Sequence, residues 1–205
     1  MPKVSDDYLT ERQDQVLDAA VRCFAEGGFH ATGMADVIRE SGLSAGSVYR
    51  YYRSKDELIA AIITRLLGQL HGRLIGMSAG ARTPAEVIEG ALGAALETFS
   101  GEQLNYARLL PQVWTEALRN PAVALHVQAS YRQILDHLYQ LTERMQRQGT
   151  LDDDLDPRGV AHVMLSAVQG FMLQKLLLRQ DLDPATYLAA ASQMFLHGEG
   201  ETPLT

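Results

Sequence analysis

Apolar residues recur at intervals of three and four along almost the whole chain, which is the spacing of one face of an α-helix. The alternation of apolar and polar residues typical of a half-buried strand is almost absent. A first amphipathic helix is predicted from about Leu9 to Gly27, and the pair Gly27-Gly28 is expected to end it, because glycine readily adopts left-handed backbone angles. The pattern therefore predicts an all-α fold.

Two short helices are predicted after this first one. Thr32 is placed to cap the first of them, and Ser41-Gly42 is expected to end it. Ser44 is placed to cap the second, which carries Val48 and Tyr52 on its inner side. The N-terminal part of the chain therefore consists of one long helix followed by two short ones.

Recurring cap signals predict six longer helices after residue 52. Ser54-Lys55-Asp56-Glu57 and Thr83-Pro84-Ala85-Glu86 both have the form of a capping box. Three further starts place a capping residue before a proline that suits the first helical turn: Asn120-Pro121, Asp156-Pro157 and Asp183-Pro184. With one more helix between Glu102 and Arg119, nine helices are predicted in total, with no linker between the two parts of the chain.

Composition limits the class of protein. The 205 residues are 46% hydrophobic and 21% charged, as in ordinary globular proteins. The single cysteine, Cys23, cannot close an internal disulfide, and no signal segment is evident, so a cytoplasmic location is expected. The most apolar stretch, from Val160 to Leu178, contains four strongly polar side chains, so no membrane span is expected. The histidines lack ligand-pair spacing with a carboxylate, so neither a metal nor another cofactor is expected.

The distribution of charged residues along the chain is more informative about a nucleic-acid partner than the net charge is. A net charge of -7 argues at first against a nucleic-acid partner, because DNA affinity depends on basic side chains that neutralise phosphates. Residues 1–40 hold four basic groups against eight acidic ones, whereas residues 41–55 hold Arg50, Arg53 and Lys55 and no acid. The local balance therefore moves from -4 to +3 at the second short helix.

One long helix followed by two short ones is the outline of a helix-turn-helix DNA-binding unit, in which the last helix reads the DNA. The side chains expected to face outward from that helix are small hydroxyls, phenols and a guanidinium, which suit contacts with base edges and phosphates. They are Ser44, Ala45, Ser47, Tyr49, Arg50 and Tyr51, and Lys55 follows at the start of the next helix.

This region resembles the N-terminal domain of the tetracycline-repressor-like (TetR) family of transcription regulators. The resemblance covers roughly residues 10–60. It is carried by Gly28-Phe29-His30-Ala31-Thr32, by Val37-Ile38, and by the run from Gly42 to Leu58, which reads Gly-Leu-Ser-Ala-Gly-Ser-Val-Tyr-Arg-Tyr-Tyr-Arg-Ser-Lys-Asp-Glu-Leu. It implies a ligand-responsive regulator that binds a palindromic double-stranded DNA operator as a homodimer. A small-molecule effector and the dimer contacts would belong to the C-terminal domain.

The resemblance also implies roles for individual residues. Thr32, Tyr49 and Lys55 would contact phosphates, and Ser44, Ser47, Arg50 and Tyr51 would face the groove. Ala45 departs from the family pattern, in which a lysine or another polar residue is frequent, and Tyr52 stands where phenylalanine is common. The expected domains are a helix-turn-helix domain of residues 1–53 and a helical effector-binding and dimerisation domain of residues 54–205.

Past residue 60 the expectations rest on the residues alone. Pro111 lies inside a predicted helix and should bend it, which favours a cavity. The expected effector pocket combines apolar walls with a few polar groups, namely Tyr106, Leu110, Trp114, Tyr131, His162, Met164, Gln169, Phe171 and Gln174. The helix from residue 156 is apolar nearly all round, which indicates a dimer interface that includes Val168, Met172 and Leu176, or alternatively a central core helix.

Four glycines at intervals of four follow along the helix from residue 54: Gly68, Gly72, Gly76 and Gly80. Glycine destabilises a helix interior, so the row requires a purpose. Close packing against another helix is one explanation, and a deformable rod between the effector site and the DNA-binding domain is the other.

Two other classes of protein remain open at this stage. A small helical-bundle enzyme is possible in principle, but Asp152-Asp153-Asp154 beside Gly149 has the pattern of a solvated loop and Cys23 that of a structural thiol. A helical interaction or small-molecule-binding module without specific DNA binding is the second alternative, supported only by the low count of basic residues.

Overall fold

The computed structural model describes residues 6–97, 103–178 and 183–196, and these ranges contain nine α-helices and no strand. The all-α fold class is therefore confirmed. Glu102, where the sixth helix was expected to begin, lies outside the described residues. The helices are α1 (Asp6–Ala31), α2 (Met34–Ser41), α3 (Ala45–Tyr51), α4 (Lys55–Ser78), α5 (Pro84–Glu97), α6 (Gln103–Ala117), α7 (Pro121–Arg147), α8 (Pro157–Leu178) and α9 (Pro184–Leu196).

Most of the predicted helix caps are present, but one capping box differs in detail and α2 has a different cap. Ser54 Oγ accepts a hydrogen bond from the amide of Glu57 over 3.2 Å, as a capping box requires. The carboxylate of Glu57, however, accepts from the amide of Arg53 over 2.7 Å, one residue before the cap. The proline-preceding caps are also confirmed: Asp156 and Asp183 each accept two backbone amides of the first turn. Side-chain and backbone donation from Thr186 lowers the pKa of Asp183.

A break in α1 lies where the sequence predicted the end of the first helix. Gly28 has φ 79° and ψ 161°, a backbone conformation that is essentially restricted to glycine. The next helix, α2, is capped differently from the prediction: Gly33 is the N-cap residue, and its amide donates to Asp36 over 2.9 Å. Thr32 is therefore not the cap of α2. Its side chain is only 5% exposed, and its hydroxyl donates to the carbonyl of Cys23 over 3.2 Å.

The chain divides into two compact units, and the first comprises residues 1–68 and 101–129. In this unit α1 packs against α2 and α6, and α2 packs against α3. Arg65 of α4 donates to Asp18 of α1 over 2.7 Å, so the first half of α4 belongs to the same body as the short helices. Its fully buried side chains include Val16, Phe24, Val37, Val48, Leu58, Ile62, Leu109 and Val113.

The second unit comprises residues 69–100 and 130–205. Here α5 packs against both α8 and α9, and the second part of α7 joins the same core. The core includes Leu92, Ile134, Leu138, Met145, Met164 and Phe171. The division between these compact units falls inside α4, after Gly68. The expected domains, residues 1–53 and 54–205, stay a prediction.

Two helices, α4 and α8, are long and apolar enough to span a membrane by length and composition alone. Core helices of globular units have the same property. Leu58 and Ile62 of α4 are fully buried in the first unit, and Met164 and Phe171 of α8 are fully buried in the second. The apolar character of both helices is therefore explained in part by packing within the chain.

The glycine row of α4 does not serve close packing within the chain. A Cβ atom placed at Gly68, Gly72 or Gly76 would meet nothing within 4 Å, and the same holds for Gly80 just beyond the helix. Close packing against another helix of the same chain therefore does not explain the row. Three glycines in one helix, with open space around each, leave α4 without the stiffness that alanine would supply.

The break at Gly28 leads to a testable difference between two glycines. Gly28→Ala should lower the free energy of unfolding by about 1–3 kcal/mol, because a side chain at these backbone angles is strained. Gly93 is the control, because it lies exposed in α5 with open space at its Cβ position. Gly93→Ala should raise the free energy of unfolding by about 0.5–1 kcal/mol. Urea unfolding followed by circular dichroism measures both, and equal effects of the two substitutions would contradict the assigned break.

Candidate nucleic-acid interface

The helix α3 is anchored from its inner side, as the sequence predicted. Val48 is fully buried and Tyr52 is 5% exposed. The hydroxyl of Tyr52 forms a hydrogen bond with the side chain of Gln13 in α1, and burial raises the pKa of Tyr52. The tyrosine that replaces the more common phenylalanine therefore has a partner for its hydroxyl and fixes α3 to α1.

The N-terminus of α3 is held by two serines. Ser44 is its N-cap, and the Ser44 hydroxyl oxygen accepts from the amide of Ser47 over 3.2 Å. The hydroxyl oxygens of Ser44 and Ser47 lie 3.0 Å apart, within hydrogen-bond distance. Ser44 is exposed and Ser47 is half-buried, so both hydroxyls are held in place at the surface before any partner binds.

The outer face of α3 carries most of the predicted DNA contacts. Ala45, Tyr49 and Arg50 are exposed, and the Tyr49 side chain exposes 47% of its surface. Tyr51 is half-buried, and Lys55 is half-buried in the first turn of α4. The helix α3, its N-cap Ser44 and the first residue of α4 therefore bring together every predicted contact except Thr32. A phosphate contact by Thr32 would first require its hydroxyl to leave the Cys23 carbonyl.

Ion pairing separates the cations of this surface from three other arginines of the first unit. Arg22 pairs with Glu40 over 2.7 Å, Arg39 pairs with Asp36 over 2.6 Å, and Arg65 pairs with Asp18 over 2.7 Å. In the described part of the chain, by contrast, none of the ion pairs involves Arg50, Arg53 or Lys55. An anionic partner would therefore meet three cations that no described ion pair neutralises, with the acidic groups Asp56 and Glu57 following in the first turn of α4.

The residues expected to form an effector pocket are divided between the two units. Tyr106, Leu110 and Trp114 lie on α6 in the first unit, where Tyr106 and Leu110 are buried and Trp114 is half-buried. The other six lie in the second unit and differ in burial. Met164 and Phe171 are core residues, His162 and Gln174 are exposed, and Tyr131 and Gln169 are half-buried.

One polar pair stands out among these six residues. The amide nitrogen of Gln169 on α8 donates to the hydroxyl oxygen of Tyr131 on α7 over 2.7 Å. Pro111 borders a cleft that faces the end of α1 in the first unit, where its lining includes Gly28 and His30. The sequence predicts a cavity at this proline, but it predicts that the helices carrying Tyr131 and His162 face it.

The second unit also contains a polar cluster that the sequence pattern did not predict. The fully buried Ser78 at the end of α4 shares a 2.8 Å hydrogen bond with His137 Nε2 of α7. Arg144, also on α7, donates to the carbonyl of Ala81 over 3.1 Å. Burial lowers the pKa of His137, and the proximity of His71 and Arg144 lowers it further. No motif links these positions, because they are far apart in the sequence.

The predicted dimer residues of α8 have different surroundings. Met172 is 5% exposed, Val168 packs against the core of its own unit, and Leu176 is half-buried. Other apolar side chains of α8 face outward: Val163 exposes 51% of its surface and Leu177 exposes 67%. These two residues lie about four turns apart on the same side of the helix. The outward apolar face of α8 is therefore displaced from the residues chosen from sequence.

Comparison with known proteins covers both halves of the chain. A family model described as bacterial regulatory proteins, tetR family, matches residues 16–62. A second model, described as BetI-type transcriptional repressor, C-terminal, matches residues 84–197. The HTH-type transcriptional regulator UidR of Escherichia coli is 25% identical over 170 residues, which are 82% of this chain and 84% of that protein.

Solved structures share the fold. A regulator from Saccharomonospora viridis in complex with choline superposes with a TM-score of 0.76 at 19% identity, covering 92% of this chain and 97% of that one. FadR of Bacillus subtilis in complex with stearoyl-CoA superposes with a TM-score of 0.74 at 17% identity, covering 91% and 99%. The exposed helix α3 and the matches to both family models lead to one conclusion: this chain belongs to the tetR family of bacterial regulatory proteins and is a DNA-binding regulator of transcription.

Proposed function

We propose that the protein is a repressor that binds a palindromic operator as a homodimer and releases it when a small-molecule effector binds. The observation that carries the proposal is the outer face of α3, where Arg50 and Tyr49 are exposed beside two pre-oriented serines and none of the ion pairs among the described residues involves Arg50. Operators are bacterial chromosomal DNA, which places the working protein in the cytoplasm.

The contacts of α3 divide into two kinds. Arg50 reads a base, because a guanidinium can donate two hydrogen bonds to the major-groove edge of guanine. Ser44, Ser47 and Tyr51 face the same groove, and Ala45 offers an apolar surface. Tyr49 and Lys55 hold phosphates, and Lys55 adds its charge to the free amides at the N-terminus of α4. Base contacts set sequence preference, and phosphate contacts set orientation.

This division predicts different results for two substitutions. Arg50→Ala should weaken binding to a duplex selected from a random library by about 1–3 kcal/mol per half-site and should relax sequence preference. Lys55→Ala should weaken binding to selected and random duplexes alike and reduce the dependence of affinity on salt. Fluorescence anisotropy at several salt concentrations measures both effects.

Tyr8 is exposed on α1 outside this surface, so Tyr8→Phe serves as the control and should leave both affinities unchanged. An Arg50→Ala variant that loses the same affinity for both duplexes would contradict the base-reading role. A wild-type protein that does not distinguish selected from random duplexes would instead favour an interaction module without specific DNA binding.

A homodimer supplies the two reading helices that a palindrome needs. The support in this chain is the outward apolar side of α8, where Val163 and Leu177 are both more than half exposed. Large apolar side chains exposed along one side of a helix are what a subunit interface would cover. The residues predicted from sequence, Val168, Met172 and Leu176, would lie beneath the exposed interface residues. Met172, for example, is buried within its own subunit.

A charge on this face should separate the subunits. Leu177→Lys is expected to shift the protein from dimer to monomer and to abolish high-affinity operator binding, because a lysine ammonium is costly to bury in an apolar interface. Leu118→Lys is the control, because Leu118 is 88% exposed at the end of α6 and outside α8. Sedimentation velocity measures both variants. A Leu177→Lys variant that remains dimeric would exclude this face.

The effector is proposed to bind in the C-terminal region, with Tyr131 and Gln169 supplying polar contacts. Their mutual hydrogen bond places a hydroxyl and an amide side by side at half-buried positions, which suits a neutral or weakly polar ligand. His162, Met164, Phe171 and Gln174 of the same unit complete the proposed set, and the expected contribution of Tyr106, Leu110 and Trp114, which lie in the first unit, stays a prediction. Choline and stearoyl-CoA, the ligands in two structures of the same fold, are the first compounds to test.

Coupling between effector and operator is proposed to run through α4. This helix begins with Lys55, and the boundary between the compact units falls after Gly68 inside it. Gly72 and Gly76 follow with open space at their Cβ positions, so α4 is deformable there. An effector changes DNA affinity only by as much as it prefers one arrangement over the other, and a deformable α4 permits two arrangements.

Stiffening α4 should therefore uncouple the two sites. The double variant Gly72→Ala/Gly76→Ala is expected to keep its separate affinities for operator and effector but to lose most of the effector's influence on operator binding. An effector should change the fluorescence of Trp114, the only tryptophan, with the same midpoint as operator release. Gly93→Ala is the control. Undiminished coupling in the double variant would exclude α4 flexibility as the route.

A further inference from the structure

Gln112 on α6 connects the two parts of the chain that the two family models match separately. Its amide oxygen accepts a hydrogen bond from the backbone amide of Phe29 over 3.1 Å. Its amide nitrogen donates to the backbone carbonyl of Phe24 over 3.1 Å. One side chain from the C-terminal model's range thus forms two bonds to the backbone of α1, which lies in the N-terminal model's range.

These two bonds span the break in α1. A helical bond from the Phe29 amide would have to cross Gly28, whose dihedral angles are not helical, so Gln112 supplies a different acceptor. The carbonyl of Phe24 lies in the last regular turn before the break. A primary amide presents a donor and an acceptor side by side while uncharged at neutral pH, and no apolar residue can replace it.

The segment held in this way leads directly into the helix-turn-helix. Phe29 is 4% exposed, and its ring packs edge-on against Phe24 with 5.3 Å between ring centroids. Four residues later Gly33 caps α2, and α2 packs against α3. The direction in which the chain leaves α1 therefore determines where α2 begins, and Gln112 helps to fix that direction.

We propose that Gln112 is a positioning residue for operator recognition: its amide holds the exit of α1 in the geometry that presents α2 and α3 to DNA. It touches no DNA itself. The proposal rests on the proposed DNA-reading role of α3. It implies that loss of the amide impairs discrimination between DNA sequences more than it impairs attraction to phosphates, because Tyr49, Arg50 and Lys55 remain in place on the surface.

Two substitutions separate the amide's hydrogen bonds from its volume. Gln112→Met keeps a similar length but removes donor and acceptor. Gln112→Glu keeps the acceptor for the Phe29 amide but directs a carboxylate oxygen at the Phe24 carbonyl. When that carboxyl is protonated, its O–H can donate to the Phe24 carbonyl and reproduce the original pair of bonds. Thr115→Val is the matched control, because the Thr115 hydroxyl donates only within its own helix, to the carbonyl of Pro111.

The experiment measures the full-length variants against a duplex selected from a random library by the wild-type protein and against a random duplex. Thermal unfolding first establishes which variants are folded. Gln112→Met should lose about tenfold in affinity for the selected duplex and less than about twofold for the random one. Faster hydrogen exchange at the Phe29 amide should accompany this loss. Thr115→Val should match the wild type in every measurement.

The pH profile of Gln112→Glu provides a test that a purely structural role would not pass. Its affinity for the selected duplex, relative to the wild type at the same pH, should be reduced at about pH 7.5 and should recover towards about pH 5 as the carboxyl is protonated. If Gln112→Met does not fold, the pH profile of Gln112→Glu alone tests the proposed positioning role. An unchanged ratio at both pH values, or a folded Gln112→Met variant with wild-type discrimination, would overturn the proposal. Failure of the wild type itself to discriminate would refute the proposed function instead.

Discussion

The DNA-binding part of this protein depends on burial of one side of two helices that are too short to be stable alone. Helices of eight and seven residues are not stable in water without tertiary packing. Val37 and Val48 are fully buried, and Tyr52 adds a hydrogen bond to Gln13 of α1. The inner side of α3 therefore carries the stabilising contacts, which leaves the outer side free to be selected for binding alone.

The same division resolves the apparent conflict between a net charge of -7 and a nucleic-acid partner. Three arginines away from α3, Arg22, Arg39 and Arg65, are neutralised by carboxylates within the first unit. Arg50 and Lys55 are placed where the chain has no acid between residues 41 and 55. Local potential decides the attraction between nearby groups, because charges more than about 10 Å apart are largely screened at physiological salt.

Two glycine features of the chain have opposite physical meanings. Gly28 is required by a backbone conformation that other residues do not adopt, and the break there is bridged by the amide of Gln112. Gly68, Gly72 and Gly76 adopt ordinary helical conformations with free space around them, so flexibility is their only evident property. Gly28 therefore forms a break in α1 that hydrogen bonds hold in one geometry, whereas the glycines of α4 make that helix flexible.

The sequence alone determined the features that depend on neighbouring residues. Capping residues and prolines located the helix starts, the pattern of three and four established the all-α class, and the motif from Gly42 to Leu58 identified the family and the outer face of α3. Each of these signals is local, because a helix is built from contacts between residues at most four positions apart. The inner positions of Val48 and Tyr52 followed from the same periodicity.

Only the tertiary structure decided the features that join distant positions. It turned Thr32 inward to the Cys23 carbonyl, placed Met172 in the core of its own unit, and directed Val163 and Leu177 outward. It also brought Gln112 to the break in α1. These outcomes depend on how helices far apart in the chain pack side by side, and a periodic apolar pattern shows that a face is covered without showing which partner covers it.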